Sequence, residues 1–223
     1  MNSDPLPWPE GTGRIILDEV DSTMAEAARR MGALDRPTWI MARRQTAARG
    51  RRGRVWTNPD GNFAATFVIK PGGNAASAAL RSFMAANAVY EALALRIDRD
   101  RLAVKWPNDV LLNGGKVAGI LLESSGRAGA VEWLSIGIGV NLEAVPGEVS
   151  DAAFPPVSLA GEGGEPVDQD EMLSMLVHRG PDELGTYVDD QAAIGATRLS
   201  IIEIPDGQQP MRDDATGTVI AMN

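Results

Sequence analysis

The stretch "LAVKWPNDVLLNGGKVAGILLESS", residues 102–125, constrains the fold more than any other part of the chain. Two apolar runs flank Asn113-Gly114-Gly115, whose residues tolerate positive φ, so the chain doubles back there as a hairpin. Upstream, Trp106-Pro107 forms a rigid corner, because proline fixes its own φ and restricts the residue before it. Strand, corner, strand, hairpin and strand in succession call for antiparallel pairing. "AVEWLSIGIGVNL" adds a further buried strand, and "GRIILDEV", "PTWIMARR" and "NFAATFVIKP" read as strands nearer the N-terminus.

Helical patterns interleave with these strands. "DSTMAEAARRMG" has Asp21 or Ser22 as N-cap and Gly32 as stop, and "NAASAALRSFMAANAVYEALALRI" is apolar at three- and four-residue spacing without Gly or Pro. A third helix is expected from "DQDEMLSMLVHRG" to about Val188. The sum predicts an α+β fold: a mixed, largely antiparallel sheet with helices on one face. We expect an N-terminal extension over 1–14, a catalytic domain over 15–190 and a short C-terminal segment over 191–223.

With no cysteine in 223 residues, disulfides, thiolate metal sites and cysteine nucleophiles are all excluded. One histidine, His178, makes a multi-histidine metal site or a Ser-His-Asp triad improbable, and it reads as an ordinary surface residue. The proline- and acid-bearing N-terminus does not resemble a signal peptide, and no apolar run reaches the ~18 residues that span a bilayer, so a cytoplasmic protein without membrane association is expected.

Against a net charge of -9, six arginines fall between Arg43 and Arg54 in "RRQTAARGRRGR". The acidic balance opposes general nucleic-acid binding, which needs a wide basic face. A solvated basic loop and a clamp on a small anion both remain open from the residues alone, although Gly50 and Gly53 let backbone N–H groups approach an anion while guanidinium forks grip it. Two of the three lysines, Lys105 and Lys116, lie on strands of the hairpin region, with Asn108 and Asp109 at a strand start facing the same cleft. "GIGVN" would allow close approach of a ligand to a buried strand, or serve packing alone.

Taken together and in order, "ARGRRGRVW", "KWPNDV", "KVAGILLE" and "GIGVN", with "DSTM" upstream and "FPPVSLA" downstream, resemble the biotin–protein ligases. The form resembled is the monofunctional one without an N-terminal DNA-binding domain. The resemblance runs from about Ile15 to Ala160. It implies a biotin/lipoate ligase-like catalytic fold related to class II synthetases, and two half-reactions. ATP and biotin give biotinyl-5′-AMP with Mg²⁺ assisting, and biotin then passes to a lysine of a biotin carboxyl carrier protein or domain. Carried over residue by residue, the resemblance implies that Ser22, Thr23, Gln45, Arg49, Arg51 and Lys116 bind biotin. It places Arg49, Arg51, Arg54, Trp56, Asn108, Lys116 and Asn141 on ATP or the adenylate, and gives Lys116, Arg51 and Asp109 catalytic roles. It also implies a homodimer through an exposed sheet edge. The sequence departs from the family pattern at Ala48, at Met24, and in the tail, where a truncated SH3-like β domain is the expectation. A lipoate–protein ligase, a non-catalytic biotin- or adenylate-binding relative and a nucleic-acid-binding module are the alternatives.

Overall fold

The computed structural model describes residues 8–127, 130–147, 153–177, 183–188, 193–198, 211–212 and 219–220; His178 and residues 1–7 of the N-terminal extension lie outside them. The chain runs β1 (Gly13–Val20), α1 (Thr23–Arg30), β2 (Thr38–Gln45), β3 (Phe63–Ile69), α2 (Ala75–Ala79), α3 (Arg81–Leu93), β4 (Leu102–Lys105), β5 (Asp109–Leu112), β6 (Gly115–Arg127), β7 (Ala130–Val140) and α4 (Gln169–Val177). Seven strands form one sheet in the order β1-β2-β3-β7-β6-β5-β4. Only β1 and β2 pair in parallel, and every other neighbouring pair in this sheet is antiparallel. The mixed, largely antiparallel sheet is the expected one.

Side chains on a strand alternate between faces, and β2 and β3 bury both. Trp39, Met41, Phe63 and Ala65 point into the main core, where Val89 and Leu93 of α3 and Met172 and Leu173 of α4 meet them. Ile40 and Val68 point the opposite way and pack with Ala27 of α1. The expectation of helices on one face therefore holds for α3 and α4 and is refined for α1. Parallel β1 and β2 need a crossover, and α1 supplies it on the other face. Beside α1, over β6 and β7, that second face stays open.

The hairpin between β5 and β6 turns at Asn113 (φ 49°) and Gly114 (φ 79°), the positive-φ pair that the sequence announced. The helix expected over 74–97 divides at Leu80 into α2 and α3, and Asn74 caps α2 by accepting the Ser77 N–H at 2.9 Å. The last expected helix also needs correcting. α4 ends at Val177, and Glu183–Val188 is β8, paired antiparallel with β9 (Ala193–Arg198) across the expected domain boundary at 190. Gly180-Pro181 between them is a pair that no helix interior accommodates. A short ladder of β10 (Met211–Arg212) and β11 (Val219–Ile220) lies further on.

Candidate active site

A cavity of about 770 Å³ occupies the open face of the sheet, lined from α1, β2, the loop after β2, and strands β5, β6 and β7. Its floor depends on two glycines. A Cβ on Gly139 would lie 2.8 Å from the Trp56 indole and one on Gly119 3.2 Å from it, so the ring rests directly on the backbone of β7 and β6. Lys116 Nζ sits 5.5 Å from the centroid of the same ring.

One end of the cavity is built by neutral hydrogen bonding. Gln45 Oε1 accepts from the Thr23 backbone N–H at 2.8 Å and from Thr23 Oγ1 at 3.2 Å. Ser22 and Met24 line the same end, and the Met24 sulfur lies so close to Gly137 that a Cβ there would come within 2.7 Å of it. Thus the thioether that stands at the departure from the family pattern fills space against β7.

The opposite end is ionic. Arg49, Arg51, Arg54, Lys105 and Lys116 line the cavity, and among the described lining residues Asp109 is the one carboxylate. Lys116 Nζ lies 2.7 Å from Asp109 Oδ1, an ion pair by distance without hydrogen-bond alignment. Arg51 Nη1 donates to Asn108 Oδ1 at 2.9 Å, and Asn108 is itself pinned to β6, its Nδ2 donating to the Ile120 carbonyl at 2.8 Å. Arg49 pairs with Glu123 at 3.2 Å. The arginine loop is a closed turn: Gly50 N–H bonds to the Arg54 carbonyl at 2.7 Å, and Trp56 N–H to the Ala48 carbonyl at 3.0 Å. Ala48 is buried at the loop's base, so its methyl packs inward and leaves the turn intact.

The six-arginine cluster divides. Arg43 is spent on Asp170 at 2.5 Å and Arg44 on Glu19 at 2.8 Å, both outside the cavity. Neither was expected at the site, and every residue that was expected there lies at the cavity wall. Asn141 also serves the scaffold. Its Nδ2 donates to the Val157 carbonyl at 3.0 Å and lies 3.5 Å from that of Lys116, so the amide braces the strand carrying Lys116. The segment containing Pro155–Val157, which includes part of "FPPVSLA", straps that strand as well: Lys116 N–H bonds to Pro155 O at 2.8 Å and Val157 N–H to Lys116 O at 3.0 Å.

Two residues of the assembly escaped the sequence reading. Fully buried Asn62 accepts the Glu143 and Ala144 N–H groups at 3.0 and 3.1 Å and donates to Ala144 O at 2.7 Å, with Asn141 Oδ1 at 3.4 Å. Thr66 hydrogen-bonds to Thr23 Oγ1 at 2.9 Å. The only signal for Thr66 is a hydroxyl in the otherwise apolar run "FAATFVI". For Mg²⁺, no group of three or more His, Cys, Asp or Glu among the described residues could hold a metal. Among the described residues the protein groups do not form a dedicated cage for that ion.

Residues 16–141 match the family model described as "Biotin/lipoate A/B protein ligase family". The chain belongs to this family. A biotin–[acetyl-CoA-carboxylase] ligase of Paracoccus denitrificans is 54% identical over 164 residues, covering 72% of this chain and 68% of the relative. This ligase-family chain spans only about half, 51%, of the bifunctional ligase/repressor of Bacillus subtilis, at 32% identity. Among solved structures, the biotin protein ligase of Leishmania major in complex with biotinyl-5-AMP superposes with a TM-score of 0.61 at 29% identity, covering 75% of this chain and 72% of that one. The Aquifex aeolicus biotin protein ligase in complex with biotin and ATP gives 0.59 at 30% identity, covering 74% and 67%. Residues 159–223 also match a model described as "Glutamine amidotransferase domain", a likeness absent from the reading of the tail as a truncated SH3-like domain. The start of that match is physically part of the ligase-family core, since Leu159, Val167, Met172 and Leu173 pack within it.

Proposed function

We propose that the chain is a biotin–protein ligase that uses ATP to make biotinyl-5′-AMP and then transfers biotin to a lysine of a biotin carboxyl carrier domain. The observation that carries this reading is one cavity with two unlike ends: neutral Thr23–Gln45 hydrogen bonding, and five cations around a single carboxylate. Biotin matches that division, with a polar, uncharged ring system and a carboxylate tail.

In the first half-reaction a biotin carboxylate oxygen attacks the α-phosphorus of ATP, the bond to the bridging oxygen breaks, and pyrophosphate leaves. Both reactants are anions. Lys116, Arg49, Arg51 and Arg54 offset their repulsion and stabilise charge on the α-phosphate. Trp56 packs against the adenylate, and Asn108 holds Arg51 in place. Asp109 is the one carboxylate in the lining that could reach a Mg²⁺ ion, which would supply further charge neutralisation at the phosphates. In the second half-reaction the carrier lysine amine attacks the mixed anhydride, AMP leaves, and the amine proton passes to Asp109, which lies beside the reacting carbonyl once Lys116 has turned to the phosphate.

Ser22, Thr23 and Gln45 bind the ring system. Action in the cytoplasm and a homodimer through an open sheet edge, at β1 or β4, belong to the same reading. Among the described residues no helix is long and apolar enough to cross a membrane. The test is to incubate the protein with radiolabelled ATP, biotin or lipoate, and a carrier domain. Labelled biotinyl-AMP and biotinylated carrier are expected. Product from lipoate but not biotin would reassign the substrate, and adenylate absent with both would reduce the protein to a binding relative.

A further inference from the structure

Thr66 is the one polar residue in β3, and it is fully buried on the face that holds α1 and the cavity. A buried hydroxyl is costly unless bonded. Among the described residues its side chain bonds only to Thr23 Oγ1, at 2.9 Å, and Thr23 Oγ1 continues to Gln45 Oε1 at 3.2 Å.

The direction of this chain follows from one group that can only donate. The Thr23 backbone N–H lies 2.8 Å from the Gln45 amide, so the atom it meets is the oxygen, and Nε2 is the other end. The Thr23 hydroxyl must then also donate to that oxygen. Thr66, with no second acceptor in reach, gives its hydrogen to Thr23 Oγ1. Thr23 Oγ1 is thereby left with a lone pair, and Gln45 Nε2 with hydrogens that no described group accepts. Both residues line the cavity, so a hydroxyl acceptor and an amide donor are available at this end of it. That pair complements an O=C–N–H edge, as in a cyclic urea or lactam.

We propose that Thr66 is a positioning residue that anchors the Thr23 hydroxyl beside Gln45 and so holds the end of the pocket that takes the biotin ring system in its binding geometry. The ureido oxygen accepts from Gln45 Nε2, and the adjacent ureido N–H donates to Thr23 Oγ1. Without the Thr66 hydroxyl, Thr23 Oγ1 keeps its bond to Gln45 but loses its buried anchor, so the side chain is freer to leave the position in which it meets the ligand. This proposal rests on the biotin-ligase reading and adds to it a residue that touches no substrate.

The test compares Thr66→Val, which keeps shape and strand preference but removes the hydroxyl, with Thr66→Ser, which restores it. Biotinyl-AMP formation is followed against biotin, desthiobiotin and ATP in turn. For Thr66→Val the KM for biotin should rise roughly five- to thirtyfold, the cost of one buried hydrogen bond, with the same factor for desthiobiotin, which keeps the urea. The KM for ATP and kcat at saturating biotin should stay within about twofold of the parent, and Thr66→Ser should recover most of the loss. If Thr66→Val proves too unstable to assay, Thr66→Ala against Thr66→Ser poses the same question. Unchanged biotin KM, an equal rise in the KM for ATP, or failure of serine to rescue would each overturn the proposal while parent activity stands. A parent protein that forms no biotinyl-AMP removes the functional reading itself.

Discussion

Lys116 meets Asp109 in the cavity, and both groups are needed in turn by the proposed chemistry. The pair holds the ammonium at the reacting centre until two stronger anions, the biotin carboxylate and the α-phosphate, compete for it. Lys116→Ala should therefore lower adenylate formation by about a hundredfold or more while the fold persists, measured as pyrophosphate release; a near-parental rate would remove Lys116 from the chemistry. Arg51 is held by Asn108 at the loop's open side. Arg51→Gly should loosen retention of the mixed anhydride, seen as biotin on bystander lysines when no carrier is present. Lys116, Asp109 and Arg51 were legible in the sequence because each sits in a short run whose company marks it. Asn62 and Thr66 were not, because their partners lie 79 and 43 residues away and only folding brings them together.

Individual elements also carry charge and packing that bear on the site. α1 opens the neutral end of the cavity, and a clasp of Arg29 with Asp21 and Glu26 holds its turns. The hydrogen bond from Arg29, followed by that from the Ser22 N–H, lowers the Asp21 carboxyl from its ordinary 3.8 to about 2. A depressed carboxylate pKa stabilises the fold at pH above the unfolded value, and that contribution is lost as pH falls from about 3.8 to about 2. Asp21→Asn should thus lower stability slightly at neutral pH, where the contribution is present, and match the parent at pH near 2, flattening the profile across that acid window, as followed by thermal melts at stepped pH. On β7, Gly139→Ala would place a methyl 2.8 Å from the Trp56 ring. The strand tolerates alanine but the indole must move, so the KM for ATP should rise with little change in Tm. Periodicity made these strands and α1 visible, whereas the break at Leu80 and the end of α4 depended on neighbours and on Gly180-Pro181.

At the scale of the molecule, α4 completes the core of the ligase domain although it follows the last strand of the sheet by 28 residues. Leu173 is 1% exposed between α3 and the sheet, and Leu173→Ala should cost about 2–5 kcal/mol, read from denaturant midpoints. The likeness of residues 159–223 to an amidotransferase domain overlaps this helix, yet α4 packs as ligase core up to Val177. No cysteine occurs in the sequence, so these 223 residues supply no thiol nucleophile for such a domain. A chain ending after Val177 should keep its fold and form biotinyl-AMP, whereas one ending before Gln169 should lose both, since the main core would be left open. The sequence by itself determined the antiparallel sheet, the β5–β6 turn, the family and the charged groups of the site, because turn chemistry, two-residue alternation and contiguous motifs are local properties. Only the tertiary structure decided which arginines reach the cavity, that Asn141 braces Lys116, and that Thr66 meets Thr23. Those outcomes hang on hydrogen bonds and ion pairs between distant segments, whose partners are chosen by packing rather than by spacing along the chain.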